Sequence, residues 1–141
     1  MIEETSAGIV LFRKEGIKKM FLLLHYPSGH WDFVKGKMEK GESTTETAIR
    51  ETKEETGITD VEFLDNFEEW IQYNFQYKGE LVHKKVVFFL GETKTKEIKI
   101  SDEHLSYAWE EYNEAMEKTT FDNAKTILTK AEELLSKTGR L

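Results

Sequence analysis

The chain has 141 residues, with 27 acidic and 20 basic side chains for a net charge of −7. That length suits one ordinary domain around a single core, spanning residues 1–141, and an acidic balance argues against a stable nucleic-acid partner, which calls for a basic surface. With no cysteine, disulfides and thiolate metal sites are excluded. No run is apolar enough to span a bilayer and no signal pattern opens the chain, so the expectation is a cytoplasmic protein without a membrane partner.

In chain order, Ser6 to Phe12 and Met20 to Tyr26 are apolar and strand-like, with a turn at Lys14-Glu15-Gly16 between them. Lys35 to Glu42 reads as a loop carrying Gly36 and Gly41, of the kind that brings backbone and positive charge close to phosphates. Ser43 followed by Glu46 is a capping box that starts a helix near Thr44, and Gly57 stops it. On that helix Thr45, Ala48, Ile49, Thr52 and Thr56 form a mildly apolar face suited to packing on a sheet, while Glu46 and Lys53 look to water. Trp70 to Tyr77 alternates, Lys78-Gly79-Glu80 turns, and Leu81 to Leu90 returns, a β-hairpin. Leu105 to Trp109 is a short strand. Phe121, Ala124, Ile127, Leu128, Ala131, Leu134 and Leu135 recur at helical spacing and predict an amphipathic C-terminal helix. Strands and helices mixed in this way suggest helices on both faces of a sheet.

The chemistry concentrates in residues 36 to 58, GKMEKGESTTETAIRETKEETGI. On a helix Glu51, Glu54 and Glu55 point to one side. Like charges at this spacing repel unless something neutralises them, and hard divalent cations such as Mg²⁺ or Mn²⁺ take carboxylate oxygens. A solvated, charged helix face is the alternative reading of the same residues.

Gly36, five residues, Glu42, seven residues, Arg50-Glu51, two residues, Glu54-Glu55, one residue, Gly57-Ile58 resembles the Nudix box of the Nudix hydrolases. The soft departure is Thr52, where an aliphatic residue is usual. The resemblance implies an α/β/α sandwich with a mixed sheet, and metal-dependent hydrolysis of a nucleoside diphosphate linked to another group. Outside the box the chain resembles the diadenosine tetraphosphate hydrolases of animal and archaeal type. The likeness rests on Phe21 to Leu24 with Gly29-His30-Trp31, on Tyr73, on Lys78-Gly79-Glu80 with Lys84, Lys85 and Val86 to Leu90, and on Ser101-Asp102-Glu103-His104 with Tyr107-Ala108-Trp109. Where those enzymes have Pro-Lys-Gly-His, this chain has Val34-Lys35-Gly36-Lys37. That change loosens the approach to the box and removes a group that titrates near neutral pH.

The implied roles follow residue by residue. Glu51, Glu54 and Glu55 hold the metal with the Gly36 carbonyl; Arg50 orients the carboxylates and Glu42 braces the loop. Glu103 is the general base, with Glu54 as the alternative. Independently of the resemblance, a nucleobase needs rings to stack on, and Tyr73, Tyr77 and Phe89 are candidates, Tyr26 a lesser one, against the reading that strand aromatics are core. A phosphate chain needs cations, and Lys35, Lys37, Lys84 and Lys85 are the candidates. His30 and His83 are read as ordinary hydrogen-bonding histidines, and Phe121 and Ala124 as helix packing. The resemblance implies asymmetric cleavage of diadenosine tetraphosphate to ATP and AMP. The alternatives are a Nudix enzyme acting on RNA 5′-triphosphate ends or damaged nucleoside triphosphates, and a module that binds nucleotides without hydrolysing them.

Overall fold

The computed structural model describes residues 1–138, so the last three residues of the expected 1–141 domain lie outside the described residues. The central strand β1 runs Ile2–Glu15, and its run from Ser6 to Arg13 is buried throughout, as a strand covered on both faces must be. β2 (Lys18–His25) returns antiparallel to the second half of β1, with Phe12 opposite Phe21. β3 (Trp31–Asp32) extends that edge, and β4 (Val34–Lys37) pairs antiparallel with the first half of β1, setting Gly36 opposite Ala7 and Lys35 opposite Gly8. The residues expected to open a loop at Lys35 therefore begin in a strand, because β1 is long enough to accept partners on the same edge at both its ends.

Helix α1 (Thr44–Thr56) starts and stops where the sequence placed it: Ser43 and Glu46 close the capping box and Gly57 takes the left-handed conformation at φ 78°. β5 (Glu62–Phe63) and the hairpin β6 (Glu69–Tyr77) with β7 (Glu80–Glu92) follow. β7 lies parallel to β1, with Ala7 beside Val87 and Gly8 beside Phe88, which makes the eight-stranded sheet mixed. β8 (Ser106–Glu110) pairs with β2; α2 (Tyr112–Lys118) and α3 (Asp122–Lys137) complete the described chain.

Strand alternation sorts the core into two layers. Val10, Phe12, Val86, Phe88 and Leu90 meet Ala115, Ala124, Ile127, Leu128 and Ala131 of α2 and α3. Ala7, Ile9, Leu11, Val87 and Phe89 meet Ala48 of α1. Helices cover both faces, and the fold is the expected α/β/α sandwich. The buried face of α1 differs from the expected one: Thr47, Ala48, Thr52, Glu55 and Thr56 are inside, whereas Thr45 is exposed and Ile49 is 51% exposed. The helix is rotated so that its carboxylate side, not an aliphatic stripe, reaches the sheet edge. Phe121 is likewise no part of the helix packing. It precedes α3 as its N-cap and stands 50% exposed.

Candidate active site

Three contacts between elements build the site. β4 runs beneath α1, and the glycine at its middle lets the helix come close. The chain after β7 folds back on the C-terminal end of α1, where carbonyls lack helical partners. There Lys99 N–H donates to the Thr56 carbonyl (3.0 Å) and Ser101 N–H to the Glu55 carbonyl (3.3 Å), while Leu105 N–H donates to the His25 carbonyl (2.8 Å). Together these bonds hold Ser101, Glu103 and His104 against the helix side chains. Third, the junction of α2 and α3 is tied to β3: Trp31 N–H donates to Thr120 Oγ1 (2.8 Å) and Thr120 N–H to the Trp31 carbonyl (3.2 Å). That tie holds Phe121 over the other face of the sheet.

Arg50 organises the carboxylate side. Its Nε donates to Glu42 Oε2 (2.6 Å), Nη1 to Glu51 Oε2 (2.8 Å) and Glu54 Oε1 (2.7 Å), and Nη2 to the Lys37 carbonyl (2.9 Å). Glu42 also accepts from Glu39 N–H and Thr47 Oγ1, both at 2.8 Å. The Arg50 hydrogen bond holds the Glu42 carboxyl down at about 2, and reciprocally Glu42, then Glu54 and Glu51, keep the guanidinium protonated. Burial raises Glu51 against the pull of Arg50.

Glu55 is the most enclosed of the group. Its Oε2 accepts from Ser101 Oγ (2.7 Å) and lies 2.6 Å from His104 Nδ1. Burial is the main cause that pushes its carboxyl up to about 7; the Ser101 hydrogen bond opposes this, and the neighbouring Glu103 and Glu51 carboxyls add to it. Carboxylates crowded together at a partly dry site are the donor set of a hard divalent cation. Among the described residues they do not yet close round one point, since Arg50 occupies the space between Glu51 and Glu54. The fit to a metal is therefore one of chemistry and position. Glu51 and Glu55 are turned inward, Glu54 is half exposed, and Gly36 supplies a strand surface bare of side chain beneath Glu51.

On the opposite face of β4 lies a cavity of about 620 Å³. Tyr26 and His30 stack in parallel along its wall, centroids 4.7 Å apart and planes 7° from parallel, and Phe121 leans on His30 at 5.1 Å. Tyr73, Ile71 and Phe88 also line it, while Asp32, Lys35, Asp122 and Asn123 add polar side chains. Rings with a few convergent polar groups are the usual make-up of a small-molecule pocket.

The expected binding residues divide accordingly. Tyr73 and Lys35 line the cavity, and Lys35 Nζ pairs with Asp32 Oδ2 at 3.1 Å. Lys37 and Lys84 share Glu4 at 2.8 and 3.5 Å. Three expected contacts fall elsewhere. Lys85 points to the opposite face from Lys84, as consecutive strand residues must, beside Thr5 and Gln72. Tyr77 sits at the hairpin tip under Lys78, and Phe89 is 8% exposed, packed edge-on against Phe63 in the α1-side core. His30, Phe121 and Asn123 enter the cavity unannounced. A Phe at a helix N-cap, where a small polar residue is favoured, was the available signal for the second. Ser101 and His104 carry part of the family resemblance, and the structure adds their place beside Glu55.

A NUDIX domain family model matches residues 3–130. The bis(5′-nucleosyl)-tetraphosphatase (asymmetrical) of Mus musculus is 34% identical over 145 residues, covering 94% of this chain and 96% of that protein. An RNA pyrophosphohydrolase of Caulobacter vibrioides is 33% identical over 120 residues, covering 74% and 68% respectively. Among solved structures, the binary complex of the C. elegans Ap4A hydrolase superposes with a TM-score of 0.80 at 30% identity, covering 94% of this chain and 98% of that one.

Proposed function

From its membership of the Nudix family we propose that this chain is a single-domain, divalent-metal-dependent hydrolase that cleaves diadenosine tetraphosphate asymmetrically into ATP and AMP. The observation that supports this most is the division of labour across β4. Gly36 lies under Glu51 on one face and Lys35 lines the aromatic cavity on the other, so a bound base and a phosphate at the carboxylates are one strand apart. The curated relatives that cover nearly the whole chain at 33–34% identity are asymmetrical tetraphosphatases, whereas the RNA pyrophosphohydrolase likeness covers 74% of it.

A divalent cation, Mg²⁺ or Mn²⁺, held by Glu51, Glu54 and Glu55 with the Gly36 carbonyl, would acidify water and neutralise charge on the phosphate. The protein's own residues do the rest. The Tyr26–His30 stack, Tyr73 and Phe121 offer π faces to one adenine. Lys35, Lys37 and Lys84 exchange their carboxylate partners for phosphate oxygens. Glu103, beside Glu55, takes the proton of the attacking water, with Glu54 as the alternative base. Arg50 keeps the box carboxylates oriented through both events. The absence of cysteine supports a cytoplasmic setting.

The test is incubation with Mg²⁺ and, in parallel, diadenosine tetraphosphate, triphosphorylated RNA, ADP-ribose and nucleoside triphosphates, with products identified by chromatography. ATP and AMP in equal amounts from the first substrate, at the highest kcat/KM of the panel, is the expected result. Preferential release of pyrophosphate from RNA ends would overturn the substrate in favour of the RNA reading.

A further inference from the structure

His104 is 8% exposed and sits between the two halves of the site. Its Nδ1 is 2.6 Å from Glu55 Oε2 and 3.2 Å from Ser101 Oγ, while its ring meets the Tyr26 ring edge-on at 4.5 Å and 75°. With Glu55 ionised, as a metal ligand must be, its carboxylate accepts and Nδ1 is the nitrogen that donates. Nε2 is buried without a hydrogen-bond partner. Leaving a polar atom in that state costs free energy, and a side chain there for packing alone would be better apolar. Its hydrogen bond through Nδ1 is the interaction that distinguishes it.

Ser101 and His104 direct both their donors to one oxygen of Glu55, Oε2. The Glu51 and Glu103 carboxyls lie within hydrogen-bonding reach of this side chain. A carboxylate gripped from behind by two donors presents its remaining oxygen in one direction. Partners of a metal ligand that fix its orientation commonly govern metal affinity by about 10- to 100-fold.

We propose that His104 is a positioning residue that acts through Glu55: its Nδ1–H fixes the carboxylate so that the free oxygen faces the metal position. This rests on the metal reading of the box glutamates. The same ring abuts Tyr26, which lines the cavity and packs on the α1-side core, so the side chain that holds Glu55 also touches the cavity wall.

The test uses Mn²⁺ alone as the probe, titrated by electron paramagnetic resonance into the substrate-free protein, with thermal melts in parallel. In His104→Asn the amide nitrogen takes the place of Nδ1; in His104→Gln it reaches the place of Nε2 instead, and His104→Ala removes both. The expected result is Mn²⁺ affinity within about threefold of wild type for Asn, and about 10- to 100-fold weaker for Gln and Ala. The order of affinities need not follow the order of melting temperatures. In a Glu55→Gln background, His104→Gln should cause no further loss, since its effect runs through that carboxylate. Equal affinities for Asn, Gln and Ala, or a loss that persists undiminished in the Glu55→Gln background, would overturn the proposal. Failure of Glu55→Gln by itself to weaken Mn²⁺ binding would instead overturn the metal reading beneath it, so the two failures are distinguishable.

Discussion

Gly36 lies so close beneath Glu51 that a Cβ on the glycine would fall 2.0 Å from the Glu51 carboxyl carbon and 2.1 Å from one of its oxygens. No side chain fits between this strand and this helix. The glycine of the box thus sets how near the carboxylate comes to the β4 backbone. Because the clash is with the tip of a flexible side chain, Gly36→Ala should fold, with Glu51 swung aside. A displacement of about 1 Å at a reacting centre can cost about 100-fold in rate. The expected outcome is a cooperative melt near the wild-type temperature with kcat reduced by about that factor and weakened Mn²⁺ binding. Wild-type turnover in this variant would show that Glu51 is not needed at that position.

Glu55→Gln keeps shape and volume but replaces a carboxylate proposed to hold the metal by a neutral amide. Turnover should fall by orders of magnitude at saturating Mg²⁺ while the fold persists, since Ser101 can still donate to the amide oxygen. Near-normal activity at high Mg²⁺ would remove Glu55 from the metal site.

Glu103 is exposed yet beside Glu55, a position suited to accepting a proton from water and passing it to solvent. Glu103→Gln should lower kcat by about 10²- to 10⁴-fold, with KM little changed. A raised KM at unchanged kcat would make Glu103 a binding residue and Glu54 the better base.

Tyr73 and Phe121 both border the cavity, and both are exposed enough that truncation empties little core. If they stack on adenine, Tyr73→Ala and Phe121→Ala should each weaken diadenosine tetraphosphate binding by about 1–3 kcal/mol, and Tyr73→Phe only mildly. Mn²⁺ affinity should stay put. Equal losses across all substrates, tracking a lowered melting temperature, would assign the rings to packing.

The acid side of the stability curve should report the Glu42–Arg50 pair. Glu42 is held at about 2 by the Arg50 hydrogen bond, below its ordinary value of 4.5. A carboxyl depressed in the folded state contributes stability that is fully present above the ordinary value and is lost as pH falls through the folded one. Melting temperatures measured from pH 6 to about pH 2 should therefore fall less steeply in Glu42→Gln than in wild type, the two curves converging at the acid end. Parallel curves would mean that the pair is formed equally well in the unfolded chain.

Local patterns carried much of this protein. The ends of α1 were legible because capping depends on neighbours a few residues apart, here Ser43 with Glu46 and the left-handed Gly57. The hairpin at Lys78-Gly79 was legible for the same reason, and the grouping of Glu51, Glu54 and Glu55 follows from the helical repeat alone. What no local pattern contains is which face of an element meets which neighbour. Phe89 and Tyr77 belong to the same hairpin as Tyr73, yet only the pairing of β7 with β1 and β6 sends Phe89 to the α1 side, leaves Tyr77 at the tip and turns Tyr73 to the cavity. Phe121 joins the cavity through a tie between Thr120 and Trp31, 89 positions apart, and His104 reaches Glu55 across 49 positions because the carbonyls at the end of α1 needed donors. The sequence by itself determined the chemistry available, since box spacing is a short-range property. Only the tertiary structure decided which rings and donors surround that chemistry, since those contacts join segments far apart in the sequence.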